Sequence, residues 1–312
     1  MSKALTVATR AGTLAIKQTQ IVVGALVKIH PDIQVRIRKI TTKGDRDRRT
    51  VLWDLRDTGF FTSQVEDALL AGQADFAVHS FKDLPTRQRE GLAIAAVCDR
   101  QFAEDCLVAA TPISSVQQLP DAAKIGTSSL RRAAQVRRLR EGFQVTPIRG
   151  NVQTRIRRLE AGEVDAIILA RAGMERLGLT EKISYCFDPK QFTPAPAQGA
   201  LAVQTRSDDI ATTKLVAAID DNNTRTATFA ERQVLMTTQC GCHAPVGAFA
   251  EIAGAEIVIR AFISDLQGEE FLTREITGPA SKAEELAEQI AEQLLEAGGR
   301  EILDELETNK DS

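Results

Sequence analysis

One tryptophan and one tyrosine stand in 312 residues, and aromatic side chains make up only 4% of the chain. A surface that grips single-stranded nucleic acid by stacking needs such rings in number, so the sequence argues against that partner. Five cysteines (Cys98, Cys106, Cys186, Cys240 and Cys242) cannot all pair within one chain, and so few in a chain of this length do not staple a fold. A reducing compartment fits. No apolar run approaches the roughly 18 residues that a membrane helix requires; the longest, Leu92 to Cys98, has the length of a buried strand. No apolar signal region or Arg/Ser-rich transit stretch precedes the first strand-like run, Leu5 to Ala8, so a cytoplasmic protein with no membrane partner is expected.

What is present is 43% hydrophobic and 26% charged residues, enough for a sizeable core and too apolar for general disorder. The length predicts two or three domains. A net charge of -3 conceals a strong asymmetry: nine arginines against one acid, Glu141, lie between Arg131 and Arg158, a local +8 in an otherwise acidic chain. That stretch is expected to collect anions. From Ser281 to Ser312 ten acids stand against three bases, spaced as the wet face of an amphipathic helix.

Short β-type runs (Leu5 to Ala8, Ile33 to Ile40, Asp75 to Val78, Leu92 to Val97) alternate with helical periodicity, which predicts an α/β unit with a mostly parallel sheet. A second α/β unit follows, with strands near Cys106 to Ala109, Val145 to Ile148 and Asp165 to Ala170. The apolar run Ala200 to Val203 can return to the first sheet and make that domain discontinuous. The remainder, a helix from Arg225, three strand-like runs and one long final helix, reads as a small α+β domain. The expected division is 1–99 with 198–219, then 104–193, then 222–312. The polar run from Thr42 to Thr58 reads as a long loop, either a lid or a disordered segment.

Gly126-Thr-Ser-Ser-Leu-Arg-Arg132 gathers backbone N–H groups, hydroxyls and two arginines at a helix start, which suits a carboxylate or phosphate as well as a plain N-cap with a basic face. Arg149-Gly-Asn-Val-Gln-Thr-Arg155 repeats the arrangement after a strand, at the edge where open α/β sheets bind ligands. Two such loops in one domain favour the anion site. Lys82 and Asp83 follow another buried strand and face the same kind of edge, where an aspartate can stabilise a developing positive charge or shuttle a proton, a surface Lys-Asp pair ending the strand being the alternative. His79 reads as structural. Cys240-Gly-Cys242-His243 lacks a second ligand cluster, so no metal is expected; a cysteine in such a loop suits a nucleophile or covalent tether, with an unreactive thiol as the alternative.

In order and spacing, Ala8-Thr-Arg10, His79-Ser-Phe-Lys-Asp83, the two arginine loops, Pro196-Ala-Gln-Gly-Ala200 and Cys242 with Pro245-Val-Gly resemble the porphobilinogen deaminase family over nearly the whole chain. The resemblance implies two periplasmic-binding-protein-like α/β domains around a cleft, and a C-terminal α+β domain with a three-stranded antiparallel sheet. It implies a monomeric transferase that deaminates four porphobilinogen molecules and joins them head to tail into hydroxymethylbilane, in tetrapyrrole biosynthesis. The implied cofactor is a dipyrromethane held by a thioether to Cys242. Its carboxylates would lie on Lys82, Thr127, Ser128, Ser129, Arg131, Arg132, Arg155 and Gln198, and the substrate on Arg10, Arg149, Gly150 and Arg176. Asp83 would stabilise the charge left by deamination. The chain departs from the family pattern at Thr58, where a loop lysine is expected, at Phe102-Ala-Glu-Asp105, and at Ala197 and Cys240, where glycines are expected. A non-catalytic or degenerate relative that binds small carboxylates is the alternative these departures raise.

Overall fold

The computed structural model describes residues 3–42, 62–239 and 244–311. In chain order the first stretch holds β1 (Lys3–Arg10), α1 (Thr13–Ile29), β2 (Ile33–Ile40), α2 (Ser63–Leu70), β3 (Phe76–Ser80) and β4 (Leu92–Cys98). The second holds β5 (Asp105–Ala109), β6 (Lys124–Gly126), α3 (Leu130–Leu139), β7 (Gln144–Thr146), α4 (Val152–Glu160), β8 (Ala166–Ala170), α5 (Arg171–Leu177) and β9 (Tyr185–Cys186). Then come β10 (Leu201–Arg206), α6 (Ile210–Val216), α7 (Asn222–Thr237), β11 (Val246–Ala253), β12 (Glu256–Ser264), β13 (Phe271–Pro279), α8 (Ala283–Leu294) and α9 (Arg300–Asp311). Two compact units result, one of residues 3–42, 62–101 and 198–226, the other of 102–197, 227–239 and 244–311.

In the first unit the sheet order is β2-β1-β3-β10-β4. β1 runs parallel to β2 and β3, and β10 enters antiparallel between β3 and β4, with Ala202 opposite His79. Four of the five strands therefore point the same way, as expected of a mostly parallel sheet, and β10 alone is reversed: the returning strand reaches the sheet from the opposite end, a direction that an apolar run does not encode. Its central strands are apolar on both sides because both faces are covered. Val22 and Leu26 of α1 pack with Leu5, Val7, Phe76 and Val203, while Val65 and Leu69 of α2 pack with Ala8 and Ala77.

The second unit contains a five-stranded sheet of order β7-β6-β8-β5-β9, again mixed, with β6 parallel to β7 and β8 and β5 antiparallel to β8 and β9. β6 and β9, three and two residues long, carry too little periodicity to be read from the sequence. The antiparallel sheet β11-β12-β13 lies in the same unit. Ala230 and Val234 of α7, Ile290 and Leu294 of α8 and Ile302 of α9 form one core with Val246, Ala248, Ile257 and Ile259. The single final helix expected from the acidic periodicity is two helices, broken where Gly298 takes φ +110, a conformation that costs glycine little.

Gly126 ends β6, immediately before the first arginine loop. A Cβ there would stand 2.9 Å from Ile167 Cγ2, 3.1 Å from Ile148 Cγ2 and 3.3 Å from Val164 Cγ2. All three are β-branched side chains with little freedom to step aside. Gly126→Ala is expected to lower unfolding free energy by about 1–3 kcal/mol, the cost of overpacking a tight core, as measured by urea denaturation; an unchanged midpoint would contradict the close packing.

Candidate active site

Two groups of the candidate side chains stand at the carboxyl ends of parallel strands, one in each unit. In the first unit, Arg10 closes β1, and Lys82 and Asp83 lie in the 3-10 turn that follows β3. Lys82 Nζ donates to Gln198 Oε1 at 3.0 Å, and Arg100 Nε donates to the Gln198 carbonyl at 3.2 Å. Gln198 is fully buried, and Lys82 and Asp83 are half-buried. A buried amide with its oxygen on an ammonium is a rigid support for that charge, because little solvent competes for it.

His79 sits just below this turn, buried, with Nε2 lacking a hydrogen-bond partner among the described residues. Burial lowers its pKa to about 4; a hydrogen bond with Gln204 opposes the shift and the Arg10 charge adds to it. The imidazole is neutral at physiological pH, consistent with a structural role.

In the second unit, the loop after β6 is bound down by its own polar groups. Ser128 Oγ donates to the Ile148 carbonyl at 2.7 Å, the Ser129 N–H donates to Thr127 Oγ1 at 3.1 Å, and the Ser129 side chain caps α3. Arg131 and Arg132, on the first turn of that helix, are buried around the fully buried Asp105. Arg131 Nη2 reaches Asp105 Oδ2 at 2.8 Å, and Arg132 Nη2 reaches Oδ1 at 2.7 Å. Arg131 Nη1 also donates to the Thr193 carbonyl at 2.6 Å, and Arg132 Nη1 to the Ile168 carbonyl at 3.0 Å. Burial alone raises the Asp105 pKa, but the charges of Arg131 and Arg132 and their hydrogen bonds override it and hold the carboxyl well below the usual range. Two guanidiniums share one carboxylate, so the trio carries a net positive charge.

The loop after β7 adds to that charge. Arg155 Nε donates to the Gly150 carbonyl at 2.9 Å, and Asn151 caps α4 by accepting from the Thr154 N–H at 2.9 Å. Gly150 holds φ +107, and a Cβ there would lie 2.6 Å from Thr154 Cγ2, so the loop requires glycine. Burial, then the neighbouring charges of Arg132, Arg149 and Arg158, lower the Arg155 pKa to about 10. Arg149 Nη1 is buried with no hydrogen-bond partner among the described residues. A half-buried cluster of like charges with an orphan donor is unfavourable by itself and favourable around an anion. Arg176, half-buried, lies in the last turn of α5.

Within the second unit, Thr127, Ser128, Ser129, Arg131, Arg132, Arg149, Gly150 and Arg155 thus fall on two neighbouring loops, while Arg10, Lys82, Asp83 and Gln198 fall in the first unit. Cys242, with Cys240 and Thr58, lies outside the described residues. Among the described residues no group of three metal-ligating side chains occurs and no helix is long and apolar enough to cross a membrane. The sequence reading missed the role of Asp105, although the sequence carries a signal for it: an acid at the start of an otherwise apolar strand needs a buried cation.

Asp105→Asn would leave two buried arginines without their carboxylate. A loss of about 3–5 kcal/mol in unfolding free energy is expected, measured by urea denaturation at neutral pH. For His79, the unfolded chain binds the extra proton between its ordinary pKa and the lowered value of about 4, so stability rises with pH across that window and is lost as pH falls from about 6.5 to about 4. The acid-induced loss in the native protein is expected to exceed that in His79→Gln by up to about 3 kcal/mol; equal losses would remove this assignment.

Residues 5–214 match the family described as porphobilinogen deaminase, dipyromethane cofactor binding domain, and residues 225–296 match the porphobilinogen deaminase C-terminal domain. Porphobilinogen deaminase of Pelobacter propionicus is 39% identical over 97% of both chains. The enzymes of Desulforudis audaxviator and Deinococcus radiodurans are each 40% identical over 97% of this chain and 98% of theirs. Among solved structures, a TRAP periplasmic solute binding protein from Desulfovibrio salexigens is similar at a TM-score of 0.41, with 12% identity over 70% of this chain and 73% of that one. With family matches across both parts of the sequence and curated relatives aligned along nearly all of it, the chain belongs to the porphobilinogen deaminase family.

Proposed function

We infer that this protein is a hydroxymethylbilane synthase: it deaminates four porphobilinogen molecules and joins them head to tail, consuming one water and releasing four ammonia molecules. Full-length likeness to porphobilinogen deaminases carries the activity. The observation that carries the site is the arginine pair of loops, where burial and then its cationic neighbours lower the Arg155 pKa and Arg149 Nη1 has no partner among the described residues.

That environment fits a dipyrromethane, whose acetate and propionate groups are anionic. When bound, the cofactor supplies a primer whose terminal pyrrole carbon is the nucleophile for chain growth. Arg131, Arg132 and Arg155, with Thr127, Ser128 and Ser129, would hold its carboxylates. Arg131 and Arg132 each have Asp105 and a carbonyl already on the guanidinium, so they would contribute chiefly charge and the rigid helix start from which Ser129 is presented. Lys82, fixed by Gln198, would hold a further carboxylate. Arg10, Arg149, Gly150 and Arg176 would receive the carboxylates of the incoming porphobilinogen.

Loss of ammonia leaves the substrate's methylene carbon electron-poor and puts positive charge on its pyrrole nitrogen. Asp83, adjacent in sequence to the anchored Lys82, would accept a hydrogen bond from that N–H, stabilise the charge and take up the proton displaced after carbon–carbon bond formation. Residues 222–312 would form the tethering domain, with Cys242 as the thioether donor, and residues 1–99 with 198–219 and residues 104–193 the two binding domains. The reading extends to a monomer working in the cytoplasm.

Intact mass of the purified protein tests the tether. A two-pyrrole adduct is expected on the native chain and none on Cys242→Ser. Asp83→Asn is expected to keep the adduct and lose at least about a hundredfold in turnover, the scale of a general acid–base contribution. A native chain that stays unmodified and makes no linear tetrapyrrole after incubation with porphobilinogen would place it among degenerate relatives.

A further inference from the structure

Among the described residues three non-glycine residues take a left-handed backbone: Asp99 at φ 54, Ala197 at φ 61 and Gln239 at φ 53. Aspartate tolerates this region because its short polar side chain bonds locally; alanine has no such group and suffers the full clash of its Cβ. Ala197 is also fully buried, so solvent cannot satisfy its backbone in another way. Something must hold it there.

The holder is Glu231, a fully buried residue of α7. Its Oε2 accepts the Ala197 N–H at 2.6 Å, and its Oε1 accepts the Ala250 N–H at 2.7 Å. Ala250 lies on β11, the edge strand of the three-stranded sheet, so its N–H has no neighbouring strand on that side. One carboxylate thus takes two buried backbone donors from segments far apart in sequence, and charge-assisted bonds of this length are among the strongest a backbone makes. The residue after Ala197 is Gln198, whose side-chain oxygen receives the Lys82 ammonium and whose carbonyl receives Arg100.

We propose that Glu231 is a positioning residue for the reaction: by gripping the Ala197 N–H it maintains the left-handed turn from which Gln198 projects, and so sets the oxygen that orients Lys82 next to Asp83. Glu231 itself touches no reacting atom. The proposal rests on the assignment of Lys82, Gln198 and Asp83 to the site made above.

The test exploits the conformation. Glu231→Gln replaces one acceptor oxygen by an NH2 group that faces a backbone donor, so kcat/KM for porphobilinogen, measured on cofactor-loaded protein, is expected to fall about tenfold. Ala197→Gly alone relieves the strained φ and is expected to stay within about twofold of native. Combined with Glu231→Gln it is expected to restore most of the loss, because glycine adopts the turn without being held. A role confined to bracing β11 through Ala250 would not be rescued by glycine at 197, so a double variant no better than Glu231→Gln overturns the proposal. If Glu231→Gln alone does not fold, recovery of folded, active protein in the double variant supports the same conclusion and its absence overturns it. Gln198→Ala separates the two levels. Full activity in that variant removes the site assignment, whereas a defect there with no glycine rescue removes only the role given to Glu231.

Discussion

The second unit depends on one buried carboxylate. Asp105 lies at the start of a strand that is otherwise apolar, and Arg131 and Arg132 close on its two oxygens from the first turn of α3. Burying three ionised groups is costly, and their mutual attraction repays that cost only when the geometry is good and the remaining donors are satisfied. Here the donors are satisfied: the guanidiniums extend to the carbonyls of Thr193 and Ile168, so that β5, β8, α3 and the segment before Gln198 are fastened at one point. A hydrophobic trio of similar volume could fasten them equally well. What it could not do is leave one positive charge in excess at the mouth of two glycine-containing loops.

That excess explains why the arginine-rich stretch need not be a uniform basic surface. Arg137 donates to the Leu266 carbonyl, Arg138 lies 4.4 Å over the Phe271 ring, Arg140 binds the carbonyls of Leu119 and Gln117, and Arg158 pairs with Glu163. These four serve packing or surface solvation. Arg149 and Arg155 are the ones crowded by like charge, and they border the loops where Ser128 and Asn151 have already tied the backbone down. Loops ordered in advance in this way lower the ordering cost of binding an anion beside them.

The sequence made the outline of this legible and hid its supports. Strand runs such as Leu92 to Cys98, the hydroxyl-rich helix starts and the turn after β3 are local signals, written within a few residues, and they were found within a residue or two of where the chain places them. Strand direction was not local: nothing in Leu201–Arg206 states that it runs antiparallel between β3 and β4, because that is decided by where the chain re-enters the sheet. The Gly298-Gly299 break was hidden by an acidic face that continues on both sides of it. Asp105 and Glu231 were hidden for a different reason. The apolar run after Asp105 signals a buried acid without naming its partner, nothing local marks Glu231, and the identity of each lies in partners 26 and 34 positions away respectively.

Those two acids solve the same problem with different partners. Both are fully buried carboxylates whose oxygens each meet a donor, but Asp105 meets guanidiniums and Glu231 meets backbone N–H groups. Pairing with two arginines fixes side chains and leaves a net positive charge. Pairing with neutral backbone N–H groups fixes a chain path instead. With alanine at position 197 the left-handed turn carries a steric cost that a glycine would not have. A turn that is costly in isolation is maintained only where its surroundings over-determine it. The Glu231 carboxylate, which accepts the Ala197 N–H, therefore bears more of that constraint than it would beside a glycine.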